Sequence, residues 1–116
     1  MPTLKKDLEI LLGDSESFTV KIRTKNPGGQ SIPFDLTDKT LTFIVKESEI
    51  SSEQYITKTN SDGILMTDEI NGEAEITLSG TDTESLRPYP TSLFWLLKLE
   101  YGEISKTLMS GILKAK

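Results

Sequence analysis

At 116 residues the chain is the size of one ordinary domain and can bury a core without covalent staples, so a single domain over residues 1–116 is expected. It has neither cysteine nor histidine, which excludes disulfides, thiolate metal sites, Ser-His-Asp and Cys-His nucleophile systems, and the commonest general base. With 13 basic against 18 acidic residues the net charge is −5 and no basic stripe stands out, so nucleic acid is not an expected partner.

Leu8, Ile10 and Leu12 share one parity and predict a first strand ending at Gly13-Asp14-Ser15. Phe18, Val20 and Ile22 then alternate with Thr19, Lys21 and Arg23, the period-two pattern of a half-buried antiparallel strand. Lys21, Arg23 and Lys25 would form the solvated side of that strand. Asn26-Pro27-Gly28-Gly29 is a loop, because proline fixes φ and glycine permits positive φ. The next strand is Thr40–Glu47, with Leu41, Phe43 and Val45 pointing one way and Ile44 the other. Ser48–Glu53 is polar and reads as a loop. Tyr55–Thr59 and Ile64–Thr67 are two short strands around Asn60-Ser61-Asp62-Gly63. Asn71-Gly72 predicts a two-residue type I′ turn, which needs positive φ at both central positions, leading into Ala74, Ile76 and Leu78. Thr81-Asp82-Thr83-Glu84 fits a capping box opening one turn of helix, and Arg87-Pro88-Tyr89-Pro90 ends it. Leu93–Tyr101 and Ile104–Leu113 form a closing hairpin across Gly102.

Seven to eight short strands at roughly ten-residue spacing, with one short helical turn before the penultimate strand, predict an all-β protein. The expected architecture is an immunoglobulin-like antiparallel β-sandwich, in which that helical turn carries the chain between sheets. An OB-type barrel is the alternative, but it calls for about five longer strands. The longest apolar run, Leu93–Leu97, is far too short to cross a bilayer, so no membrane partner is expected. The first 15 residues place Asp7 and Glu9 within their apolar stretch and carry no signal-peptide core, which suggests folding in a reducing cytoplasm without export.

Few residue groups could support chemistry. Asn60, Asp62, Asp68, Glu69, Asn71 and Glu73 form an acidic cluster around two turns; calcium would use such oxygens, but the order is not that of an EF-hand, and turns favour these residues for backbone reasons. Asp35 with Asp38, or Glu73 with Glu75, could pair as carboxylates for glycoside cleavage, yet the last two alternate with Ala74 and Ile76 as solvent-facing residues do. No catalytic residue, cofactor or metal is therefore expected. In Leu93–Leu97, Leu93, Trp95, Leu97 and Leu99 can line a core, which leaves Phe94 and Leu96 on the opposite face. That face must be covered, either within the chain by residues such as Leu4 and Leu11 or by another subunit, so Phe94 and Leu96 are the interface candidates.

Several of these segments resemble one family. Gly13-Asp14 followed by Phe18-Thr19-Val20, Asp35–Thr40 leading into Leu41–Lys46, Ser61-Asp62-Gly63-Ile64, and Asn71-Gly72-Glu73-Ala74 appear in its order. Thr81–Leu86, Trp95–Leu99 and Ser110-Gly111 resemble its closing segments. The family is the immunoglobulin-like domain of siphophage tail proteins, best known from the N-terminal part of baseplate upper proteins, and the resemblance runs from about Glu9 to Leu113. It implies a non-enzymatic structural protein of a phage or prophage tail or baseplate, found in the virion and in the host cytoplasm during assembly. The implied partners are other tail or baseplate proteins and further copies of itself. A carbohydrate- or receptor-binding module on the virion surface is the second reading; Tyr55, Tyr89 and Tyr101 are available for an aromatic platform but are scattered through turns.

Overall fold

The computed structural model describes residues 4–116, the side chain of Leu4 excepted. Eleven strands and one helix follow in chain order: β1 (Leu4–Lys5), β2 (Leu8–Ile10), β3 (Glu16–Lys21), β4 (Arg23–Lys25), β5 (Ser31–Pro33), β6 (Thr40–Lys46), β7 (Gln54–Asn60), β8 (Gly63–Asp68), β9 (Glu73–Leu78), α1 (Gly80–Glu84), β10 (Ser92–Tyr101) and β11 (Ile104–Ala115). The β content and the single short helix before the penultimate strand match the sequence reading. The packing of the strands does not.

A sandwich requires two sheets face to face. Here nine strands form one sheet in the order β1-β11-β10-β6-β7-β8-β9-β3, with β2 continuing along the edge of β11 that β1 begins. The sheet is eight strands across and curls until its edges nearly meet, so the immunoglobulin-like sandwich gives way to a nearly closed barrel. The sheet is also mixed, since β1 and β2 run parallel to β11 and β7 runs parallel to β8. Only β4 and β5 stand apart, as a two-stranded arm.

Local features explain the curling. The registers of β10 with β11, β6 with β7 and β8 with β9 shift at Leu97/Lys98, Val45/Lys46 and Leu65/Asp68. Such irregularities bend a strand and increase its twist. Between β7 and β8 the chain does not form a hairpin. Ser61 adopts φ 65°, and a tight loop closed by the Thr59 and Asp62 amides on each other's carbonyls moves the chain sideways by one strand position. It then runs on in the same direction as β8.

Two expected turns change as well. Asn71-Gly72 is not a type I′ turn, because Gly72 has φ 73° but Asn71 does not enter the positive region. Residues 69–72 instead make a four-residue loop in which the Asn71 side-chain amide donates to Asp68 at 2.8 Å. The capping box lies two residues earlier than expected. Ser79 is the N-cap: its hydroxyl accepts from the Asp82 amide at 3.1 Å, and the Asp82 carboxylate accepts from the Ser79 amide at 2.9 Å.

The barrel interior is one apolar cluster fed by alternate residues of nearly every strand. It contains Leu8 and Ile10, Val20, Leu41, Phe43 and Val45, Ile56, Ile64, Ala74, Ile76 and Leu78, and Leu93, Trp95, Leu97 and Leu99. Leu36 and Leu86 close the ends from a loop and from the residues after α1. At about 25 cal/mol per Å² of apolar surface, each such side chain contributes roughly 1.5–3 kcal/mol when fully buried.

Candidate functional site

The parity of β10 is as expected: Leu93, Trp95, Leu97 and Leu99 point inward and are at most 2 % exposed. Phe94 and Leu96 therefore face outward. On that face Phe94 stands opposite Lys46 on β6 and Ile112 on β11, and Leu96 stands opposite Ile44 and Ser110. Ile44 and Leu96 are buried although they lie outside the core cluster, Phe94 is half-buried, and Ile112 is 40 % exposed. Leu11 is itself 52 % exposed, and the side chain of Leu4 lies outside the described part of the structure.

Lysines surround the quartet. The Lys46 ammonium sits 5.9 Å from the Phe94 ring centroid, and Lys5 donates to the Ser110 hydroxyl at 3.0 Å. Lys98 follows Leu96 on the same parity, and Lys114 follows Ile112. Lysine stems are apolar while their heads seek water, so the four can shade Ile44 and Leu96 and still present a cationic rim. Carboxylates also border this face: Asp7 lies beside Ile112, Glu9 stands opposite Lys114 and 3.1 Å from Lys116, and Glu100 stands near the far end of β10.

Beside this face the N-terminal segment is clamped to the barrel. The Lys6 amide donates to the Ser110 carbonyl at 2.9 Å, the Trp95 indole donates to the Lys6 carbonyl at 2.9 Å, and Asp7 accepts from the Ile112 amide at 3.1 Å. This clamp bends the chain between β1 and β2. It also requires Gly111, because a Cβ there would lie 1.8 Å from the Lys6 carbonyl oxygen.

Where the sheet edges fail to meet, a cavity of about 170 Å³ lies between Lys6 and Leu8 on one side and Phe18, Thr19 and Val20 on the other. Its floor is Phe43, Ile76, Trp95 and Met109. Among the described residues its walls are mostly apolar and include no carboxylate.

The acidic cluster does not converge. Asn60 is structural: its side-chain oxygen accepts from the Leu41 amide at 3.0 Å and its amide donates to the Lys39 carbonyl at 2.9 Å. Asp62 precedes β8, whereas Asp68 is its last residue and Glu69 and Asn71 follow, roughly 20 Å away by strand rise. Among the described residues, no three metal-capable side chains come together. Asp35 accepts from both the hydroxyl and the amide of Thr37, which hold its carboxyl below the ordinary 3.8; a general acid needs the opposite. Glu73 and Glu75 lie on the outside of β9, next to Lys21 and Thr19 of β3. Lys21 lies 4.0 Å from Glu73, whereas Arg23 bonds Ser31 across the β4–β5 arm, so the expected basic face is divided between two elements.

The three tyrosines do not form one platform. Tyr55 and Tyr89 stack on each other, with centroids 3.8 Å apart and planes 8° apart, while Lys39 lies 5.4 Å from the Tyr101 ring. Burial, with the charges of Glu47 and Glu53, pushes the Tyr55 phenol above its ordinary value of 10.0.

Sequence reasoning placed the Asn26–Gly29 loop but missed β1, β5 and the β4–β5 pairing, because strands of two or three residues are too short to show a period. The lysine rim was present as Lys46, Lys98 and Lys114, but it emerges only when β6, β10 and β11 are placed side by side. No family model matches the chain, and no curated protein matches it.

Proposed function

We propose that this chain is a non-enzymatic structural component of a phage or prophage particle, a tail or baseplate building block that works by protein–protein assembly. The observation that carries the reading is the outward face of β6, β10 and β11, where Phe94 and Ile112 lie side by side within a lysine rim. Apolar side chains ringed by polar ones are how association surfaces are built. The resemblance of the turn-and-strand segments to siphophage tail proteins supplies the setting, and other tail or baseplate proteins are the expected partners.

The test is to purify particles from an induced culture of the source strain on a density gradient and to look for this chain by mass spectrometry. Recovery with intact tails supports the assignment. A chain found only at the top of the gradient, with the free proteins, overturns it.

A further inference from the structure

We infer that a second copy of this chain is the partner for the lysine-rimmed face, and that it docks through the opposite wall of its own barrel, around Leu65. The inference deepens the assembly reading by naming an occupant, and it stands on the surfaces themselves.

The outer wall made by β8, β9 and β3 is the counterpart of the first face. Leu65 is 64 % exposed and stands opposite Glu75, while Asp68 stands opposite Glu73 beyond the register irregularity of the same strand pair. Glu69 and the exposed Ile70 follow in the loop. Lys21, next to Glu73, is the cation that β3 contributes to this wall. One wall therefore presents apolar side chains among Lys5, Lys46, Lys98 and Lys114, with Asp7 and Glu9 along its β2 side, and the other presents an exposed leucine among carboxylates. Two copies of the first wall would set lysine against lysine, and two of the second would set carboxylate against carboxylate. Only the head-to-tail pairing matches the signs, and like charges brought together are what excludes a wrong register.

The positions of the walls decide what such a contact builds. In the eight-strand order, β10 is third and the β8–β9 pair is sixth and seventh. With strands evenly spaced, the walls lie on the order of 150° apart around the barrel. A heterologous contact between nearly opposed walls turns the chain only slightly at each step, so it closes into a many-membered ring or runs on as a filament. Each single contact is weak. Convex walls of about three strands meet over roughly 400 Å² per partner, below the ~800 Å² of a standard interface. Association should therefore depend on concentration and be screened by salt, since the attraction lies at the solvent-exposed rim.

Because the chain has no cysteine, engineered thiols report the contact directly. Leu65→Cys and Ile112→Cys both replace exposed side chains, and Ile50→Cys, at a site 96 % exposed, measures random collision. Under mild oxidation at low salt, a mixture of the first two variants should form mixed disulfides roughly tenfold faster than either variant alone or mixed with the Ile50 variant. About 1 M NaCl should abolish that excess. Lys46→Glu with Lys98→Glu in the Ile112 variant should also abolish it, and Asp68→Lys with Glu75→Lys in its Leu65 partner should restore it, which a misfolded variant could not do. Mixed disulfides at the collision rate, or same-variant dimers of Ile112→Cys in excess, overturn the inference. Particle-bound chain that shows no mixed cross-link keeps the assembly reading and removes this one.

Discussion

Replacing Gly111 with alanine is the most direct test of the N-terminal clamp. The added Cβ would lie 1.8 Å from the Lys6 carbonyl oxygen, so the β1–β2 bend must retreat by more than an ångström to clear an ordinary contact. That retreat breaks the Lys6–Ser110 backbone bond and the Trp95–Lys6 bond, both 2.9 Å long. Two lost bonds cost about 2 kcal/mol, and the Trp95 N–H, on a residue only 2 % exposed, adds about 1–3 kcal/mol if water cannot reach it. The total of about 3–5 kcal/mol is a large share of the ~5–15 kcal/mol that holds a domain together. Trp95 is the sole tryptophan, so its emission reports the site without labelling. The expected result is a red-shifted emission maximum together with a urea midpoint lowered in proportion. An alanine variant with unchanged emission and a midpoint within error of the parent would refute the clamp.

Other consequences are independent of that site. Partial burial would raise the Asp82 carboxyl, but the Ser79 amide and Lys58, whose ammonium is 3.0 Å away, hold it below 3.8. Asp82→Ala should then cost about 1–3 kcal/mol at pH 7 through the lost cap and ion pair. Because the folded-state value is the lower one, this contribution is present above the ordinary value of 3.8 and fades as pH falls through the depressed one. Urea midpoints of parent and variant should therefore converge as the pH falls below 3.8 and through the depressed value, and a constant gap would refute the assignment. Asp38 holds φ 60°, and Asp38→Gly should leave stability unchanged or raise it by up to ~1 kcal/mol, read as a melting temperature; a clear loss would mean that its side chain holds the turn. Tyr55 has its folded-state value raised, so the stability it contributes is complete below 10.0 and is lost as pH climbs through the raised value. Ultraviolet titration should show a tyrosine step above pH 10.0, and Tyr55→Phe should remove it.

Alternation along single strands was readable because it depends on neighbours two residues apart. It placed Leu41, Phe43, Val45, Ile76 and Leu97 inside, and all five are at most 1 % exposed. Turn chemistry was readable in position but not in type. Asn71-Gly72 does end β8 and begin β9, yet the Asn71 bond to Asp68 favours a longer loop in which glycine alone takes positive φ. The capping box was misplaced by two residues because Thr81 and Glu84 have the same spacing as Ser79 and Asp82. The structure selects the second pair because Asp82 also reaches Lys58, on β7. Thr83, read as part of the cap, instead turns inward, where its hydroxyl accepts from the Gly13 amide and donates to the Asp14 carbonyl.

The error that mattered was in how the strands associate. A strand's own sequence says which residues face inward, and a sandwich and a barrel ask the same of it. What separates them is which edges remain open, and that is decided far along the chain: β1 and β2 lie parallel to β11 because Gly111 has no side chain and Trp95 can bond Lys6, residues on opposite ends of the sequence. Closure in turn sets what the outside can do. It turns Phe94, Ile112 and Leu65 outward on walls that no single segment contains. The run around Phe94 and Leu96 could therefore be recognised in the sequence as needing cover, while the lysines beside it and the carboxylates beside Leu65 became visible only with the pairing of β6, β10 and β11 and of β8 with β9.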